Sequence, residues 1–379
     1  MWFLRQFPVA WRMLADRPAR LILSMCGVAF AVVVMFTELG FLNGITDSSA
    51  NFADLLASDL VLVHPEQEHL KSYVQFPAFF LQKARDVPGV ERALPIYLGA
   101  KYWSNPQDGS RNRVLIVGVD LADPMLRLPE LVARREEMRQ ADTVLFDRLA
   151  RGELGVVQPG TRSRLAGRPV RVAGLFALGP NFAYEGNIVL STVNFLQLPG
   201  QTASMVDLGM VRVSAGENVE TVRQRIKQHL QGHVDVLTPA EIAARERRYT
   251  RDHAPIGIVF GIGLLVGFAI GTVVCYQILF NEVSDHLPQF AMIKAIGHRP
   301  RFLASIVLQE ALILSLGGFL FGLAAGLGLY AFLENGTALR MIMTPARASL
   351  VLVLSSGMCL VAGWLALKKV NATDPADLY

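Results

Sequence analysis

Cysteine is scarce in this chain of 379 residues: Cys26, Cys275 and Cys359 are its only three, and each falls inside an apolar run. The polar stretch between residues 45 and 250 has none, so disulfides cannot hold it, and roughly 200 residues must fold around a hydrophobic core of their own, as two subdomains. Catalytic signatures are missing as well. No GxxxxGK[ST] phosphate loop, HExxH, GxSxG or CxxC occurs, which leaves no recognisable catalytic centre and no rigid metal frame. Charge is also thin, at 18% of residues against 52% hydrophobic and a mean hydropathy of +0.36. That is too apolar for an ordinary soluble enzyme and too charged to lie wholly in a membrane.

What is present is a set of four apolar runs of bilayer length. They predict spans over 21–44, 254–280, 302–333 and 348–367. The net charge of +4 comes from basic residues clustered beside these runs, where membrane topology explains them, and nucleic acid is not expected as a partner. Arg5, Arg12, Arg17 and Arg20, then Lys294, Arg299 and Arg301, then Lys368 and Lys369 all fall on one side if both termini are cytoplasmic. Residues 1–20 alternate Trp2, Phe3, Phe7, Trp11 and Leu14 with arginines, as in a helix lying flat against membrane lipids.

Glycines recur at spacings of four in the second span (Gly263, Gly267, Gly271) and in the third (Gly318, Gly322, Gly326), the pattern of closely approaching helix backbones. Their partner helix is open at this level. Glu38, near the far end of the first span, is costly in a membrane, and either a structural role at the interface or a functional one accounts for it. Gln309 and Glu310 suggest that the first turns of the third span lie at the interface.

Residues 45–253 read as a mixed α/β domain outside the cytoplasm. Asp59 to His64, Arg113 to Val119, Val170 to Phe176, Ile188 to Leu190 and Met210 to Ser214 predict strands, and residues 79–87 and 219–230 predict helices. A charged stretch at 120–143 suggests the division between two halves. Thr238-Pro239-Ala240-Glu241 predicts a capped helix start, and from there a stalk helix could run to Phe280 with only a kink at Pro255. The segment His64 to His69 holds metal-ligand residue types, but a proline-containing polar loop is a poor frame, and His229 and His233 are separated by Gly232, so no metal is expected.

Residues 281–301, between the second and third spans, are too patterned for a linker. After Pro288, Phe290, Ile293 and Ile296 mark a short amphipathic helix stopped by Gly297 and suited to docking a soluble partner. The run Glu282-Val-Ser-Asp-His-Leu-Pro, continuing through Lys294 to Gly297, resembles a loop of the DevC-type permeases of the MacB/FtsX-like ABC transporter superfamily. Gly174 to Pro180, Gly271 to Leu279, Gln309 to Leu314, Asp374 to Leu378, Asn105-Pro-Gln107 and Val144 to Arg148 are similar to that family too.

The resemblance implies the fold class of a membrane protein with about four transmembrane helices and a two-part α/β domain inserted between the first and second. It implies a homodimeric permease subunit of the bacterial inner membrane, with no catalytic residues of its own. ATP and Mg would be bound by a separate ABC ATPase, and a periplasmic membrane-fusion adaptor and a TolC-like outer-membrane channel would complete a route for lipid-like or amphipathic cargo. Segment 281–301 would be the coupling loop, with Glu282, Asp285, His286, Gln289 and Lys294 meeting the ATPase and 334–347 forming a short external loop. The alternative is an FtsX-like regulator of a cell-wall hydrolase that transports nothing.

Overall fold

The computed structural model describes residues 11–12, 14, 18–181, 183–253, 255–286, 300–337 and 341–371. Among these, four helices are long and apolar enough to cross a membrane: Pro18–Ser49, Gly257–Asp285, Ala304–Glu334 and Pro345–Lys368, the first to fourth spans. Apart from residues 44–49 at the end of the first span, they belong to one compact unit, and residues 44–254 form the body of another. Most of segment 1–20, the flat helix expected from its arginine and aromatic alternation, lies outside the described residues.

Along the α/β unit the main elements, short helical turns aside, are β1 (Leu60–Val63), β2 (Phe76–Pro77), α1 (Ala78–Arg85), β3 (Val90–Ser104), β4 (Arg111–Val119), β5 (Thr143–Asp147), β6 (Arg162–Leu165), β7 (Arg168–Phe176) and β8 (Gly186–Ser191). The chain continues through α2 (Thr192–Leu196), β9 (Met205–Val206), β10 (Leu208–Val213), α3 (Val219–Leu230), β11 (Asp235–Leu237) and α4 (Pro239–Asp252). Nine strands make one mixed sheet in the order β11-β1-β10-β3-β4-β8-β5-β7-β6, and β6 pairs again with β3. The last six strands therefore close into a ring.

The 15-residue β3 joins the two parts: Val90 to Ile96 pair with β10, and Tyr97 to Ser104 pair with β4. The division is thus an insertion, strands β4 to β8 being threaded between β3 and β10, rather than two halves meeting at 120–143. β1 is buried on both faces, Leu60 and Leu62 in one core and Val61 and Val63 in the other, which is why it reads as an unbroken apolar run. Buried Val222, Ile226 and Leu230 hold α3 against the first of these cores.

The capped helix start is present in full. The Thr238 hydroxyl accepts the Glu241 N–H at 3.2 Å, Glu241 Oε2 accepts the Thr238 N–H at 2.8 Å, and Pro239 stands at the first helical position. One continuous helix to Phe280 is not: α4 ends at Asp252 with His253 as its cap, and Pro255 opens a new helix, Pro255–Asp285. Proline lacks the N–H that would continue the helical ladder, so the chain begins a fresh helix there.

Candidate functional site

Both glycine stripes meet the first span, and Gly271 also lies against Met358 of the fourth. A Cβ built on Gly267 would stand 3.2 Å from Val34, and one on Gly271 would stand 2.8 Å from Ala31, while Gly263 lies directly against the Glu38 carboxylate. In the third span Gly318 abuts Val28, Gly322 would bring a Cβ to 2.5 Å from Val32 and 3.0 Å from the Ala29 carbonyl oxygen, and Gly326 to 3.3 Å from Phe36. The first span thus lies between two glycine faces of its own chain. Tyr330 fastens it further, its hydroxyl donating to the Phe36 carbonyl at 2.5 Å with its ring over Gly40.

Where the first span begins and the second ends, ionisable groups converge. Arg20 pairs with Asp285 and stands 3.8 Å from Glu282, and His286 Nε2 is 3.3 Å from the same Glu282 carboxylate. Glu282 is only 7% exposed. It turns towards Arg20 and His286, and a buried carboxylate is tolerable there because Arg20 compensates its charge. Asp285 remains exposed. Gln309 and Glu310 are buried as well, and neither carboxylate oxygen of Glu310 has a hydrogen-bond partner among the described residues. Gln289, Lys294 and the 374–378 segment lie outside the described residues.

The α/β unit has two buried carboxylate hubs. Asp147, at the end of β5, accepts the Leu149, Leu178 and Gly179 N–H groups at 3.0, 3.1 and 2.9 Å and the Asn187 amide at 2.6 Å. It ties the Val144 to Arg148 motif to the Gly174 to Pro180 motif, which the parallel β5 and β7 set side by side. Burial pushes its carboxyl up, and these four donors pull against that shift. Asp207 receives Leu98 N–H at 2.8 Å and Gln75 at 3.1 Å, and burial raises its carboxyl to about 6. Asn105 and Gln107, the third motif, hold the 153–156 turn through the carbonyls of Glu153 and Val156.

Helix α4 is clamped along its length. Glu246, 3% exposed, accepts the Leu70 N–H at 2.6 Å; Arg245 donates to the Gln67 carbonyl at 2.7 Å; Arg247 pairs with Asp54 at 2.8 Å. Among the described residues no group of three or more His, Cys, Asp or Glu could hold a metal ion.

Two family models match the chain, in sequence order. The MacB-like periplasmic core domain matches residues 21–229, and the FtsX-like permease C-terminal model matches 255–375. The chain belongs to the MacB/FtsX-like permeases. No curated protein matches it. Among solved structures it is similar to the periplasmic region of MacB from Actinobacillus actinomycetemcomitans, at 11% identity over 50% of this chain and 92% of that one, TM-score 0.36. It is also similar to the extracellular domain of the noncanonic ABC-type transporter YknZ from Gram-positive bacteria, at 11% identity over 48% and 100%, TM-score 0.34. A domain of a putative permease from Porphyromonas gingivalis gives 15% identity over 48% and 86%, TM-score 0.32.

In this permease the four spans flank the mixed α/β domain, so the membrane-protein fold class expected from hydrophobic length holds. Of the residues read from sequence as contacts, Glu282, Asp285 and His286 form one cluster. Arg20, which completes it, carried only a topological signal in the sequence. Glu246 and Gln67 had no signal at all, because a glutamate in a charged helix and a glutamine in a polar loop read as solvated.

Proposed function

We propose that this permease is the membrane subunit of an ATP-driven exporter, a homodimer in the bacterial inner membrane with cytoplasmic termini. A separate ABC ATPase hydrolyses ATP with Mg beneath it. The observation that carries this reading is the order of the two family models, with a periplasmic-type core domain set between the first span and the remaining permease spans. A DevC-type arrangement follows from the sequence of segment 281–301. The ATPase docks on that loop, a membrane-fusion adaptor engages the α/β domain, and amphipathic cargo leaves through an outer-membrane channel.

The cluster beside the loop supports a coupling role. Arg20 ties the start of the first span to Asp285 and Glu282, so a push on the loop is felt by two spans at once. Clamping of α4 by Glu246, Arg245 and Arg247 gives the domain a stiff base through which such motion can pass.

The test is co-expression with the ABC ATPase encoded nearest to it. Wild type is expected to purify as a complex, and Asp285→Lys to lose the ATPase while still inserting in the membrane. An unchanged complex removes the docking role. Co-purification with a cell-wall hydrolase and never with an adaptor replaces the exporter by an FtsX-like regulator.

A further inference from the structure

A cavity of about 260 Å³ opens in the α/β unit between the loop after β1 and the C-terminal half of α4. Gln67 and Glu68 line one side, and Arg245, Arg248, Tyr249 and His253 the other. Nothing in the exporter reading uses it.

Three features mark it as a built site. Gln67 is 2% exposed, yet among the described residues neither its amide nitrogen nor its amide oxygen has a hydrogen-bond partner. A buried amide with both groups unpaired is costly, so the site is suited to a ligand that both accepts and donates. Arg248 is exposed and makes no ion pair or hydrogen bond among the described residues, while Arg245 is fixed in place by the Gln67 carbonyl at 2.7 Å and Asp235 at 3.2 Å. The wall between them is stiff: the Tyr249 ring stacks on His253 at 4.9 Å and meets His69 at 4.0 Å.

We infer that this cavity binds a phosphate ester. A guanidinium fork matches two phosphate oxygens at once, and Arg248 is the fork left unspent. The amide of Gln67 can donate to a phosphate oxygen and accept from a neighbouring hydroxyl, as a glycerophosphate group presents. Glu68, the one acid in the lining, offers a second acceptor for that hydroxyl. A smaller void of about 10 Å³ behind Gln67, beside Leu70 and Glu246, has room for one water at most, so ligand atoms belong in the larger chamber. His253 stands two residues before Pro255, where the helix carrying the second span begins. The ester therefore has two sources, a soluble phosphate ester or a phospholipid head group, and the inference is independent of the exporter reading.

The experiment uses the full-length protein in phosphatidylcholine nanodiscs. Inorganic phosphate and glycerol 3-phosphate are titrated by calorimetry, and phosphatidylglycerol is compared with phosphatidylcholine by vesicle competition. Arg248→Gln, at an exposed position, is expected to weaken binding at least tenfold, Gln67→Leu to weaken it without loss of folding, and Arg251→Gln, on the same helix but outside the lining, to leave it unchanged. Binding of glycerol 3-phosphate supports a soluble ester as source, and competition by phosphatidylglycerol alone supports a lipid head group. Absence of binding by every probe overturns the inference. So does equal loss in the Arg248 and Arg251 variants, which reports bulk positive charge.

Discussion

Glu246 on α4 accepts the backbone N–H of Leu70 at 2.6 Å, a charge-assisted bond between groups 176 residues apart. The carboxylate is buried, so the bond is shielded from competing water. Glu246→Leu is expected to destabilise the domain by about 1–3 kcal/mol and to speed hydrogen exchange at residues 67–72. An unchanged exchange rate there would show that α4 does not hold this loop.

The Asp207 carboxyl, at about 6 in the fold against an ordinary 3.8, makes stability depend on pH in a defined direction. Between these two values the folded chain keeps a proton that the unfolded chain has released, so stability falls as pH rises through about 4 to 6 and the whole penalty is carried above 6. The shift corresponds to roughly 2–3 kcal/mol. Asp207→Asn keeps an acceptor for Leu98 without the charge and is expected to be more stable than wild type at pH 8, with the gap closing by pH 4. Thermal unfolding of the two proteins across that range checks it.

Gly322→Val is expected to disrupt the bundle. Its Cβ would meet the Ala29 carbonyl oxygen at 3.0 Å as well as Val32, and a backbone atom cannot swing aside. The cost of such overpacking is about 1–3 kcal/mol. Gly328→Ala, where nothing lies within 4 Å, is the matched control and is expected to leave thermal stability in detergent unchanged.

Cys275 in the second span and Cys359 in the fourth bring their sulfurs to 3.3 Å, both buried. A membrane-permeant oxidant such as iodine is expected to join them within one chain, seen as a disulfide-linked peptide by mass spectrometry, while Cys26 stays open to alkylation. Failure to link them would place the second and fourth spans farther apart than they are here.

Legibility in the sequence followed the range of the physics. The spans and the capping box at Thr238 were readable because each rests on residues close together in the chain. β1, β4, β7, β8 and β10 were readable from their β-branched runs. The longest strand, β3, was not, since Pro95 sits within it and its apolar positions serve two different cores. The return of β6 to β3 left no local trace, because pairing of Trp103 with Leu165 depends on the 61 residues of intervening chain.

By itself the sequence determined that this chain has four bilayer-length helices, a disulfide-free α/β insertion and two small-residue faces ready for close packing, since hydrophobic length, cysteine placement and glycine spacing act locally. Only the tertiary structure decided that both glycine faces receive the first span, that Glu282 turns inward to Arg20, and that Gln67 is buried beside an uncommitted arginine. Each of these depends on which distant residue arrives opposite, and burial and ion pairing are set by that encounter rather than by the residue's own neighbours in the chain.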